Sequence, residues 1–226
     1  MHPDFKKDGY LVCRNFLDDT TVALMQTYFD FKYRIINFSP ENRSNSNKSV
    51  QANLKEPNKP GDVGSSFLFY GDHLTESIHL NYGQLVCDML KAKLSPTYTY
   101  SRIYEKGDSL LAHIDRPSCE ISATCPITVS GGGPSTIFIS NYAADYNNPR
   151  YDVVEIEKRG DYTEVNLFPG DVLFYKGCER YHWRRPLEED YLIQFFMHFI
   201  ETDGVNKDWV FDKRPYSGFP ESYKMI

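Results

Sequence analysis

No stretch of this sequence is apolar for long enough to span a bilayer, and MHPDFKKDGYL at its start carries no secretory apolar core. Neither a membrane partner nor an exported precursor is expected. Cysteine is sparse and unpatterned: Cys13, Cys87, Cys119, Cys125 and Cys178 are odd in number, scattered, and form no CxxC pair. This argues against a disulfide framework or a structural zinc site and for reduced thiols in a cytoplasmic protein. Cys119 and Cys125 read as packing residues. Positive charge is also short. A net charge of −6, with no basic run, argues against a nucleic-acid partner. No internal repeat is visible.

What is present suits a single domain over 1–226, since 226 residues with 41% hydrophobic content can bury one sizeable core. GYLVCRNF (9–16) reads as a strand and LDDTTVALMQTYFDFKY (17–33) as a helix. Asp18, Asp19 or Thr20 supplies the cap of that helix, and Val22, Met25, Tyr28 and Phe29 its apolar stripe. Residues 38–66 are polar and read as a long loop, of the kind used as lids. A second helix is expected over 74–94. The helical support thus spans about 17–94. After Pro96 come short runs rich in β-branched and aromatic residues: TYTYSRIY, SLLAHI, EISATCPITV, STIFISN, DVVEIE, TEVNLF, DVLFYKG and YLIQFFMHFI. Seven or eight strands over 97–200 indicate a β-sandwich or barrel. The helices precede the sheet and are expected to brace its outer face. In the tail, 201–226, Trp209 and Phe211 are expected to tuck onto the body. Gly131 to Gly133 read as a hairpin turn, since no helix follows to make a phosphate cradle.

The chemistry-bearing pattern is His113-Ile114-Asp115, with His182 far downstream in DVLFYKGCERYHWRR. Residues two apart at a strand end share a face. His182, read as closing a later strand, would reach the same mouth. Two imidazoles and a carboxylate on one face of an octahedral metal leave three positions open, the donor set of non-heme Fe(II) oxygenases. The competing reading is a set of satisfied polar residues. The other histidines serve less well: His2 is terminal, His73 and His79 lie on or beside a helix, and His198 alternates with Gln194 along the last strand. Arg116 follows the carboxylate directly. Either it pairs with Glu120 or it contacts substrate.

PTYTYSRIYEKGDSLLAHIDRPSCEIS, NLFPGDVLFYKG and YHWRRPL together resemble the Fe(II)- and 2-oxoglutarate-dependent dioxygenases of the prolyl-4-hydroxylase-like branch. Tyr104, Gly107, His113 and Asp115 match that family's layout. The resemblance implies a mainly β fold with supporting α-helices, a double-stranded β-helix (jelly-roll, cupin-like). It implies Fe(II) on His113, Asp115 and His182, with 2-oxoglutarate and O₂ as cosubstrates. The reaction would be hydroxylation of a C–H bond in a peptide, protein or small molecule, a prolyl residue being the first substrate expected. Relatives hold the far carboxylate of 2-oxoglutarate with a base about ten residues past the distal histidine. Here Tyr191 and Leu192 occupy those positions. The candidates to replace it are Arg184, with Tyr104 beside it, then Arg102 and Gln194. The missing base also admits a non-catalytic jelly-roll that binds metal or acts as a scaffold. A cupin-type dioxygenase that uses no oxo acid would need an all-histidine site, against which Asp115 argues.

Overall fold

The computed structural model describes residues 1–38, 67–147 and 152–215. The expected loop therefore lies outside the described residues, apart from Phe38. Two antiparallel sheets carry the fold. In chain order the strands are β1 (Tyr10–Cys13), β2 (Phe67–Tyr70), β3 (Leu94–Glu105), β4 (Leu110–His113) and β5 (Ile121–Val129). They continue with β6 (Ser135–Ser140), β7 (Tyr162–Leu167), β8 (Val172–Tyr175), β9 (His182–Arg184) and β10 (Tyr191–Glu201). The larger sheet has the order β1-β8-β5-β10-β3-β2 and the smaller β4-β9-β6-β7. This is the expected jelly-roll, and the site lies where the ends of β4 and β9 pair.

The helices are α1 (Pro3–Asp8), α2 (Asp19–Asn37), α3 (His73–Leu90) and α4 (Val153–Arg159). Asp18 caps α2 by accepting from the Thr21 amide, and Asp72 caps α3 through Leu74. Val22, Met25 and Phe29 of α2, and Ile78, Val86 and Leu90 of α3, form one buried cluster with Ile193, Phe195, Met197 and Phe199 of β10. The strand period of two then decides what faces inward. The opposite side of β10 presents Gln194, Phe196 and His198. On β3 the cavity takes Tyr98, Tyr100, Arg102 and Tyr104. Ile103, on the alternate side, joins the helix-facing core, and Thr99 meets Thr75 of α3 at 2.7 Å. The helices do brace the outer face of the larger sheet.

Four local expectations are corrected. DVVEIE is not a strand but part of α4. Asp152 accepts from the Val154 amide at one end, Gly160 closes the other at a φ of 68°, and Ile156 is the buried contact. Its β-branched content imitated a strand, while the caps set a short helix. His182 opens β9 rather than closing the strand before it, because the chain leaves β8 at Tyr175 and turns through Lys176 to Arg180. Of the two tail aromatics expected to tuck in, Phe211 is exposed, while Trp209 is half-buried with the Arg116 guanidinium 5.8 Å from its ring centre. Buried Asp212 accepts from Arg116 at 2.6 Å, and Arg214 donates to Glu76 at 2.7 Å. Arg116 consequently pairs with Asp212, not Glu120. Glu120 accepts from the Glu201 amide instead.

Candidate metal centre

His113 and His182 meet across the β4–β9 ladder, where they are register partners. Their rings lie 4.3 Å apart between centroids. Asp115 sits just beyond the end of β4, held by its amide donating to the Gly177 carbonyl at 2.8 Å. Its Oδ1 lies 3.6 Å from His113 Nε2 and 3.5 Å from His182 Nε2. One donor atom from each of the three falls within 4.8 Å of the other two.

The tautomers suit ligation. His113 Nδ1 is 2.8 Å from the Leu111 carbonyl and His182 Nδ1 is 3.1 Å from the Arg180 carbonyl. A carbonyl only accepts, so each Nδ1 carries its proton and each Nε2 turns a lone pair toward the shared centre. Burial, helped by the neighbouring His182, holds His113 below the usual imidazole range. Burial opposes ionisation of Asp115, but the neighbouring His182 and His113 hold its carboxyl well below the usual range. A donor set of one carboxylate and two imidazoles fits a hard-to-borderline divalent ion such as Fe(II). Asp115 Oδ2 is occupied separately, accepting from Ser122 Oγ at 2.7 Å.

Gly177 makes this approach possible, and sequence reasoning missed it. A Cβ there would stand 2.3 Å from the Cys119 carbonyl, 2.5 Å from Asp115 Oδ2 and 2.6 Å from Ser122 Oγ. Two of these neighbours are fixed by the site itself. Gly177→Ala is expected to lose about 1–3 kcal/mol of stability through overpacking. It should also weaken iron binding by displacing Asp115, measured by urea unfolding and iron titration of one preparation.

A cavity of about 270 Å³ opens from the triad. His113, Asp115 and His182 share its wall with Tyr98, Tyr100, Arg102, Tyr104, Phe196 and His198. Two guanidinium groups lie near the Tyr104 ring, Arg102 at 5.3 Å and Arg184 at 5.4 Å from its centre. Arg184 is buried and donates to neutral acceptors, Ser135 Oγ at 2.9 Å, the Thr136 carbonyl at 2.6 Å and Gln194 Oε1 at 3.4 Å, while Glu189 acts on it electrostatically. Its Nε has no hydrogen-bond partner among the described residues. Burial pulls its pKa down from the usual range. Gln194 completes this group by donating to Thr124 at 2.7 Å. Arg184, Tyr104 and Gln194, three of the sequence candidates, are thus brought together. Arg102 lies across the Tyr104 ring and donates to the Tyr100 hydroxyl at 3.3 Å. Arg116, beside the triad, is stacked 4.7 Å from the centre of the Tyr98 ring. Tyr100 and Tyr98 were missed by sequence reasoning, although their alternation with Arg102 and Tyr104 could have shown them.

No family model matches the sequence, and no curated protein matches it. Solved structures do match. HygX from Streptomyces hygroscopicus with nickel, 2-oxoglutarate and hygromycin B bound is 13% identical, with 89% of this chain and 86% of that chain covered and a TM-score of 0.56. SnoK, a non-heme alpha ketoglutarate dependent carbocyclase from nogalamycin biosynthesis, is 13% identical, covering 96% of this chain and 90% of its own at a TM-score of 0.62. A prolyl-4-hydroxylase from Pseudomonas putida is 13% identical, covering 86% and 95% at a TM-score of 0.52. At such identity the likeness establishes the shared jelly-roll fold. Among the described residues no helix is long and apolar enough to cross a membrane.

Proposed function

We propose that this protein is an Fe(II)- and 2-oxoglutarate-dependent dioxygenase that hydroxylates a C–H bond of a peptide, protein or small molecule. The observation that carries the reading is the convergence of two Nε2 lone pairs and one carboxylate oxygen at the wall of a cavity that also holds Tyr104 and Arg102. HygX and the carbocyclase, each solved or named with 2-oxoglutarate, lend support at the level of fold. A prolyl substrate remains a proposal resting on sequence resemblance, because the structural neighbours include a carbocyclase alongside a prolyl-4-hydroxylase. The five free cysteines accord with work in a reducing compartment.

The chain's own residues divide the work. His113, Asp115 and His182 would hold iron by one face and leave the other side to ligands. Bound Fe(II) would supply the oxidative chemistry that couples decarboxylation of the oxo acid to oxygen insertion. Arg184 would bind the far carboxylate. A buried guanidinium whose hydrogen bonds go only to neutral groups, with Glu189 acting on it electrostatically, is further stabilised when an anion sits against it. Tyr104, in contact with it, would orient that carboxylate, and Gln194 holds Arg184 in place. Arg102 lines the open cavity and would face substrate together with Tyr100, while Arg116 would line the mouth. The buried aromatic wall keeps water from the reacting centre. This buried cation replaces the base missing at 191 and 192, which weighs against a purely scaffolding role.

Arg184→Ala is expected to raise the 2-oxoglutarate requirement by roughly 30-fold or more, the effect of removing one partner of a buried charge pair, with iron retained. Arg102→Ala should leave that requirement within about threefold and weaken substrate binding instead, a loss of under 1 kcal/mol at the oxo acid. Succinate release measured against 2-oxoglutarate concentration checks both. A large rise with Arg102→Ala and none with Arg184→Ala would transfer the anchor to Arg102.

A further inference from the structure

Asp115 belongs to a second group of donors. Cys119 and His198 each offer an atom that lies, with a carboxylate oxygen of Asp115, within 4.8 Å of the others. The two histidines of the triad approach Oδ1. Oδ2 is reached from the other side, through Ser122 Oγ, which is 2.7 Å from Oδ2 and 3.0 Å from His198 Nδ1. Cys119 and His198 are both buried, and His198 lines the same cavity as the triad. Tyr98 shields the pair, with its hydroxyl 3.1 Å from Cys119 Sγ and its ring 4.6 Å from that of His198.

We infer that Asp115, Cys119 and His198 form a binding site for a thiophilic divalent cation of the zinc class, overlapping the iron site through its one carboxylate. The donor chemistry separates the two sites. The triad offers oxygen and nitrogen only. The second set adds sulfur, and thiolate ligation with one imidazole and one carboxylate suits tetrahedral zinc, while the Tyr98 hydroxyl or water can complete the shell. Binding releases the Cys119 thiol proton to solvent, so the cation gains a thiolate with no redox change. A cation held there withdraws Asp115 from the triad, making zinc an antagonist of iron. The antagonism rests on the iron reading above, whereas the sulfur-containing site stands without it.

Cobalt(II) is the probe, because thiolate ligation gives it an intense near-ultraviolet charge-transfer band that nitrogen and oxygen donors do not. The full chain carrying His113→Ala and His182→Ala together, which removes the competing site, should develop this band with one equivalent of cobalt(II). Cys119→Ser in that background should abolish the band, and Cys178→Ser should keep it. His198→Gln should lower cobalt affinity by roughly 10- to 100-fold or more, the range seen when a site's supporting contacts are lost. Circular dichroism checks that each variant is folded. In the chain with its triad intact, Cys119→Ser should raise the zinc needed to displace iron by about tenfold, on the same basis. Absence of the band from the folded double variant overturns the site, as does a band that survives Cys119→Ser. If the wild-type protein instead fails to bind iron while the band appears as expected, only the iron reading fails.

Discussion

Asp115→Ala should abolish iron binding and every turnover that depends on it, while the protein stays folded. Asp115 supplies the only carboxylate of the triad, and its Oδ1 is close to both Nε2 atoms. Without it two imidazoles remain, a weaker set for a hard-to-borderline dication. Loss of contacts that merely support a ligand already costs 10- to 100-fold in metal affinity, so the loss of a ligand should exceed about 100-fold. The fold should tolerate the change because Asp115 lies outside β4, and the Gly177 hydrogen bond uses its backbone amide. Ser122 loses its acceptor at Oδ2, but it retains its contact with His198 Nδ1. Anaerobic iron titration measures the affinity, and circular dichroism the fold. Iron bound by Asp115→Ala as tightly as by wild type would mean that the ion sits elsewhere.

Trp183→Ala should be the most destabilising single change near the site. Trp183 is fully buried. It lies between His182 and Arg184 on β9, so its side chain faces away from theirs. On that side it stacks on Phe138 at 5.6 Å and meets Tyr162 edge-on at 5.4 Å. Its Nε1 donates to Glu157 of α4 at 3.4 Å. Removing a large buried aromatic costs about 3–5 kcal/mol, and Trp183→Phe should recover much of that loss. Because β9 has only three residues, its position depends heavily on this packing. The alanine variant should therefore also bind iron and 2-oxoglutarate more weakly, although it removes no proposed ligand. Urea midpoints, taken with iron titration on the same samples, test both halves. Unchanged stability would show that β9 is held by its ladder alone.

The convergence of His113, Asp115 and His182 was the most legible part of the candidate site, for a physical reason. His113 and Asp115 are two residues apart, so local geometry couples them, and His182 needed only a neighbouring strand. The strands of the sheets were legible from their short β-branched and aromatic runs, and α2 from its apolar stripe and aspartate cap. Features set by contacts far apart in sequence were not. Arg116 meets Asp212 across 96 positions, and no spacing rule predicts that pair. Arg102 and Arg184 each stand two residues from a marker of the site, Tyr104 or His182. Spacing alone could not say that both lie near the ring of Tyr104, or that the hydrogen bonds of Arg184 go to neutral groups. DVVEIE was too short for its β-branched residues to outweigh a cap at each end. Nothing in the sequence around Gly177 marks the close approach of the Cys119 carbonyl and the Asp115 carboxylate to it.

The most direct test is anaerobic addition of Fe(II) and then 2-oxoglutarate to the purified protein, followed by visible absorption. Chelation of the ferrous ion by the oxo acid should produce a weak charge-transfer band at one equivalent of each. That band should be absent from His182→Ala and, at the same 2-oxoglutarate concentration, from Arg184→Ala. A folded wild-type protein that gives no such band, or a band that persists in His182→Ala, would contradict the account.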